Sequence, residues 1–217
     1  MLSADELSAI RIELQKASFV DGASTAGWSA RGVKKNLQLT LNTPVYERLA
    51  GSVREAFFRH EMLQAALLPA ANTQVLFNRY GADMHYGPHV DAPVMGSMAT
   101  AVRTDIAMTV FLSDPTSYDG GELVIYTSGL GSQFKLEAGA VIAYPANTLH
   151  NVNPVTRGTR DAAILWVQSQ VRDPARRELL WDLSNAKRQI FSQEGKTSTF
   201  DAVSKSHANL LRMWADL

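Results

Sequence analysis

The chain has 217 residues, with 21 basic and 21 acidic side chains and a formal net charge of zero. A balanced chain generates no global field that would favour nucleic acid or an anionic membrane surface. It contains no cysteine, which excludes disulfides, thiolate zinc sites, iron–sulfur clusters and cysteine nucleophiles together. Apolar residues make up 46% and charged residues 19%, an ordinary globular composition. The length suits one domain, or one domain with a small appendage, whose core needs no staple. The opening stretch MLSADELSAIRIELQ lacks the basic-then-apolar order of a signal peptide, and no run approaches the roughly 20 apolar residues of a membrane span. A cytoplasmic location is expected, with no nucleic-acid or membrane partner.

Ser3 and Glu6 have the spacing of a capping box and predict a helix to about residue 18. A Gly/Ser/Ala-rich connection, DGASTAGWSARG, follows. VKKNLQLTL predicts a short strand. Val45, Leu49, Val53, Phe57 and Met62 recur at helical spacing, so residues 43–66 predict one helix. From residue 73 the texture becomes β-like: QVLFNRY, MHYGPHVDAP, DIAMTVFLS, GELVIYT, KLEAGAVIAYPA, HNVNPV and RDAAILWVQSQV are separated by Gly, Pro, Asp and Asn turns. Many short strands within about 100 residues point to a sandwich or double-sheet jelly roll. After Arg172 the pattern is helical again. One stripe runs through Leu179, Leu180, Leu183, Ile190 and Phe191, and another through Val203, His207, Leu210, Leu211 and Trp214. The tail's apolar stripes can pack on the core or form a homodimer.

Of five histidines, two have suggestive surroundings. In His89-Val90-Asp91, residues i and i+2 of an extended strand face the same way, so an imidazole and a carboxylate can reach one cation. Alone this triplet is weak, and a surface turn is the favoured reading of it. His150 stands at the end of AYPANTLH, after a strand. Two histidines and one carboxylate leave open positions on a metal, an arrangement suited to non-heme Fe(II). No HExxH or comparable zinc hydrolase motif accompanies them. Arg160, at the mouth of RDAAILWVQS, is costly to turn inward unless it meets an anion, and a guanidinium suits a carboxylate by two parallel hydrogen bonds. Arg157 is its rival, although PVTRG reads as an exposed turn.

With these residues in hand, the chain resembles the PKHD-type hydroxylases, a bacterial branch of the prolyl-4-hydroxylase-like Fe(II)/2-oxoglutarate oxygenases. The resemblance rests on FNRYGADMHYGPHVDAPV, RTDIAMTVFLSDPTSYDGGELVIYT and KLEAGAVIAYPANTLHNVNPVTRGTRDAAILWVQSQVRD, covering about residues 73–173. It implies an α+β chain with a double-stranded β-helix (jelly-roll) core, N-terminal helices and a helical C-terminal tail. Residues 1–173 would form the oxygenase domain, with its core at 73–173, and residues 174–217 an extension packed on it. It implies His89, Asp91 and His150 as catalytic iron ligands and Arg160 as the 2-oxoglutarate anchor. The cofactors would be Fe(II), 2-oxoglutarate, O2 and L-ascorbate. The reaction would be hydroxylation coupled to decarboxylation of 2-oxoglutarate to succinate and CO2. The retained Asp91 favours hydroxylation over halogenation, since related halogenases have a small residue there. The substrate is expected to be a small molecule or peptide, either peptidyl proline or a siderophore-related molecule. The alternative is a non-catalytic metal- or 2-oxoglutarate-binding sensor.

Asn78 and Tyr80, before the HxD triplet, are further candidates to contact 2-oxoglutarate, against a turn-forming Asn and a core aromatic. Tyr144 and Trp166 read as core packing. His85, four residues before His89, would share its face in a regular strand. His60 and His207 read as structural or solvated helix residues. Gly120 and Gly121 predict a tight turn. The small-residue and Met-rich stretch 92–105 departs from the family picture and predicts a loop at the site's mouth that bears on substrate choice.

Overall fold

The computed structural model describes residues 1–28 and 30–216. Ser29 of the Gly/Ser/Ala-rich connection and Leu217 at the end of the predicted extension lie outside the described residues. In chain order the first half contains α1 (Ala4–Lys16), β1 (Phe19–Asp21), β2 (Lys34–Lys35), β3 (Leu37–Leu39), α2 (Pro44–Arg59), α3 (Glu61–Leu67), β4 (Pro69–Asn72), β5 (Leu76–Tyr80), β6 (His85–His89) and β7 (Val94–Met95). The second half contains β8 (Val102–Arg103), β9 (Ile106–Phe111), β10 (Asp119–Gly120), β11 (Leu123–Thr127), β12 (Leu130–Phe134), β13 (Val141–Pro145), β14 (His150–Val152), β15 (Val155–Arg157), β16 (Arg160–Ser169), α4 (Pro174–Glu194) and α5 (Ser198–Trp214).

Helix starts follow their local chemistry. Ser3 and Glu6 form the full capping box at α1. Thr43 and Asp173 cap α2 and α4, each followed by a proline at the first helical position, where its missing N–H costs nothing. Where one helix is predicted over 43–66, there are two. His60 leaves helical geometry (φ −84°, ψ 92°), and its Nδ1 accepts the Leu63 N–H as the cap of α3. The break removes Met62 from the expected stripe and leaves it 56% exposed.

Two antiparallel sheets share an apolar cluster. The larger has strand order β1-β3-β5-β16-β9-β13, with β4 also paired to β16; the smaller has order β12-β11-β14-β6-β2. The predicted strand VKKNLQLTL is split between them. β2 joins the smaller sheet through β6, and β3 joins the larger through β5. β16 displays the logic of the layers. Ala163, Leu165 and Val167 face a core formed with Ile10, Leu14, Leu49, Val53 and Phe57 of the N-terminal helices. The alternate residues Arg160, Ile164 and Trp166 face the other way, toward a cavity and the smaller sheet. The cluster between the sheets joins Tyr80, Phe111, Tyr144 and Trp166 of the larger sheet to Leu123, Ile125 and Val152 of the smaller.

The two tail helices pack against each other, and α4 also meets α3. Of the two predicted stripes, Leu180 is fully buried, whereas Leu179 and Phe191 are exposed. Among the described residues, no helix is long and apolar enough to cross a membrane.

Truncating the fully buried Leu165 to alanine should lower stability by about 3 kcal/mol through lost burial and the cavity left behind. Met62→Ala should change it by less than about 0.5 kcal/mol. Urea denaturation of the two variants checks the assignment, and equal losses would show that the helical break at His60 is misplaced.

Candidate metal centre

The centre is built where β6 and β14 pair. His89, the last residue of β6, stands directly opposite His150, the first of β14. This antiparallel pairing puts the two rings side by side, with centroids 4.2 Å apart. Asp91 follows two residues after His89, and its carboxylate closes the group. Oδ1 is 3.9 Å from His89 Nε2, and Oδ2 is 3.8 Å from His150 Nε2. One ligand atom from each residue falls within 4.8 Å of the others, a set able to hold a divalent cation.

Each of the three side chains is oriented from behind. His89 Nδ1 lies 2.8 Å from the Gly87 carbonyl, and His150 Nδ1 lies 2.9 Å from the Thr148 carbonyl. With both Nδ1 atoms donating to carbonyls, both Nε2 lone pairs face the centre. The indole N–H of Trp166 donates to Asp91 Oδ2 at 2.8 Å. Burial, and then the neighbouring His150, holds the His89 ring down at about 4, in the neutral form that can ligate a metal. Burial pushes the Asp91 carboxyl up, with His150 and the Trp166 bond opposing it.

His85 does not share the face of His89. The β6–β14 register pairs Val152 with Tyr86 and His150 with His89, so three steps on β6 answer two on β14. The extra residue is a β-bulge spanning Gly87 and Pro88, where a residue lacking an N–H costs the ladder nothing. The bulge shifts the alternation. Tyr86, not His85, comes to the site and stacks on His89 with centroids 3.6 Å apart and planes at 17°. His85 pairs instead with Lys35 at the sheet's outer strand.

The centre opens into a cavity of about 390 Å3, a volume in the usual range for small-molecule sites. Arg160 lines it and is 1% exposed. Its Nε and both terminal nitrogens have no hydrogen-bond partner, and neither do the buried hydroxyls of Tyr80 and Tyr118. Tyr80 pairs with Arg160 across β5 and β16, its ring centroid 5.2 Å from the guanidinium carbon. Burial pushes the Tyr80 phenol up to about 12. Gly121, at φ +68°, makes room for this arginine, since a Cβ there would come within 3.0 Å of Arg160 Cδ. Gly121 therefore does more than turn the chain. Asn78 lines the cavity too, but its Oδ1 is occupied by the amide of Gln38 at 2.7 Å. Arg157 lies away at the surface, paired with Asp119 at 2.7 Å.

Several lining residues escape the sequence. Tyr144, expected as core, packs edge-on against His150 and lines the cavity. Trp166, likewise expected as core, holds Asp91. The connection between β1 and β2 supplies Thr25, Ala26, Gly27, Trp28 and Ala30 to the wall, and β2 supplies Lys34. The 92–105 stretch contributes Ala92, Pro93 and Met95 to the lining and folds as the β7–β8 pair. His60 and His207 are outside the lining residues.

The profile of the 2OG-Fe(II) oxygenase superfamily matches residues 75–168. A PKHD-type hydroxylase from Picosynechococcus sp. is 45% identical over 216 residues, spanning 100% of this chain and 97% of the relative. A second PKHD-type hydroxylase, from Synechococcus sp., is 47% identical over 217 residues with the same coverage. A solved prolyl-4-hydroxylase from Pseudomonas putida is similar in fold, with a TM-score of 0.53 at 14% identity over 77% of this chain and 88% of its own.

Trp166→Phe keeps the ring and removes the N–H that fixes Asp91. Anaerobic Fe(II) titration should show affinity weakened by about tenfold or more, with the urea midpoint little changed. Unaltered affinity would mean that the indole bond does not orient the carboxylate.

Proposed function

The chain belongs to the PKHD-type hydroxylases of the 2OG-Fe(II) oxygenase superfamily, and from that premise we propose that His89, Asp91 and His150 hold Fe(II) while Arg160 anchors 2-oxoglutarate. It is an oxygenase that uses Fe(II), 2-oxoglutarate and O2. The residues present fit both groups. Two imidazole nitrogens and a carboxylate are the donor set of a non-heme Fe(II) centre with open positions. Arg160 supplies the observation that carries the reading. A fully buried guanidinium with three unpartnered nitrogens is expensive to maintain. A carboxylate is the group whose two oxygens match that fork.

Together the bound groups supply oxidising power sufficient to insert oxygen into a C–H bond, with release of succinate and CO2. The protein's own part is positional. The β6–β14 pairing and the two carbonyl acceptors fix the imidazoles. Trp166 fixes the carboxylate. Arg160 draws the far carboxylate of 2-oxoglutarate to the β16 side, and the unpartnered Tyr80 hydroxyl beside it is placed to donate to the same group. Apolar walls from Leu76, Leu123, Val152 and Ile164 exclude water. Ascorbate would serve to keep the iron ferrous. We read the two facing sheets as a double-stranded β-helix with its core at 73–173. Residues 1–173 then form the oxygenase unit and 174–217 an extension packed on it. The substrate is a small molecule or peptide, and peptidyl proline and siderophore-related molecules are the first to screen.

Incubation with Fe(II), 2-oxoglutarate and ascorbate in air should yield succinate, and Asp91→Ala should abolish it. Succinate formation equal to wild type in that variant would remove Asp91 from the ligand set. In anaerobic titrations Arg160→Met should weaken 2-oxoglutarate binding by about 100-fold, the value of a buried bidentate ion pair. Arg157→Met should bind as wild type does. The opposite pattern would transfer the anchor to Arg157.

A further inference from the structure

We infer that Lys34 is a specificity residue that seats a carboxylate of the hydroxylated substrate, so that the substrate is a carboxylate-bearing molecule. The inference rests on the reading of the iron and 2-oxoglutarate sites above.

Three observations carry it. The first concerns charge. Among the described residues that line the cavity, the formal charges belong to Lys34, Asp91 and Arg160 alone. With Fe(II) and 2-oxoglutarate in place, the two charges of the metal and the one on Arg160 are matched by the carboxylate of Asp91 and the dianion of the co-substrate. Among the lining residues the ammonium of Lys34 then has no matching negative charge; outside the lining, Asp21 also acts on it.

The second concerns hydrogen bonding. Lys34 is buried, and its ammonium has three donors. One goes to Thr25 Oγ1 at 2.8 Å; no carboxylate pairs with it among the described residues. The two remaining donors have the cavity to face. Burial pushes this ammonium down to about 8, with Asp21 and Asp91 partly opposing the shift. A single compact charge without a guanidinium or helix terminus beside it suits a monoanion such as a carboxylate.

The third concerns rigidity and place. The Thr25 hydroxyl lies 2.8 Å from Gln38 Oε1, and the Gln38 amide donates to Asn78 Oδ1 at 2.7 Å. This chain of bonds fixes the ammonium, which β2 carries on the smaller sheet beside β6, whereas Arg160 stands on β16 of the larger. Tyr86 links Lys34 to the metal centre: its ring centroid is 5.2 Å from Nζ, and the same ring stacks on His89. An anion held by Lys34 is therefore one aromatic ring away from a ligand of the metal, which brings the adjoining carbon atoms within reach of oxidation.

The test uses the whole chain loaded anaerobically with Fe(II) and 2-oxoglutarate. The probes are the N-acetyl amino acids, each as its free acid and as the matching primary amide. Dissociation constants are measured by calorimetry at pH 7 for wild type, Lys34→Met and Lys34→Arg. For those side chains that bind, the acid should be favoured over its amide by about tenfold or more in wild type. The preference should fall to near parity in Lys34→Met and persist in Lys34→Arg, whose retained charge also controls for folding. A panel in which no acid binds better than its amide overturns the assignment. So does a preference that survives in Lys34→Met. Absence of 2-oxoglutarate binding to wild type, measured first in the same cell, would instead overturn the reading of the iron and co-substrate site.

Discussion

The antiparallel pairing of β6 with β14 is the contact on which the site depends. It sets His89 opposite His150 at a separation fixed by the backbone ladder. The bulge in β6 then rotates the following residues so that Tyr86 and His89 share a face. Asp91 comes to the same centre from beyond the strand's end. A regular strand would have put Gly87 and His85 in line with His89 and sent Tyr86 outward. One extra residue in one strand therefore decides which side chains can meet a cation.

Much of this was legible in the text of the chain. The strands of the second half were visible because both sheets bury one face and turns of Gly, Pro, Asp and Asn separate them. The triplet at 89–91, His150 and Arg160 could be read because few residue types serve such a site. Counting by twos from Arg160 would also have found Trp166 as a cavity residue, since β16 keeps an unbroken register from Arg160 to Val167. Other features were hidden for physical reasons. The bulge at Gly87 and Pro88 leaves no period in the apolar pattern. His60 caps one helix as the previous one ends, so two helices mimic a single stripe. β2 and β3 are two and three residues long, and nothing in VKKNLQLTL tells that its ends join different sheets.

The cavity's polarity is divided between two walls. On the β16 side, Arg160 sits among Tyr80, Tyr118 and Phe111, with no polar partner of its own. On the β2 side, Lys34 is held by neutral oxygens in a hydrogen-bonded series ending at Asn78. On the proposed reading, such a division would let one site discriminate two anions by geometry, because a planar fork and a point charge favour different ligands. Between the walls the aromatic rings of Tyr86 and Tyr144 flank the two imidazoles.

The short run from Gly22 to Leu39 has a consequence for how such a chain divides its labour. Among its described residues, the run bonds through β2 to β6 on one side and through β3 to β5 on the other. It carries no metal ligand, and it precedes the stretch matched by the superfamily profile, which begins at residue 75. A fragment cut to that stretch would retain His89, Asp91, His150 and Arg160 but lose a wall of its chamber and the Gln38–Asn78 bond. On the proposed reading, the residues that would hold the iron and 2-oxoglutarate all lie within that stretch, while part of the wall that a substrate would meet comes from outside it. Sequence drift in the strap could redirect such an enzyme to a new compound while leaving its oxidative machinery as it stands.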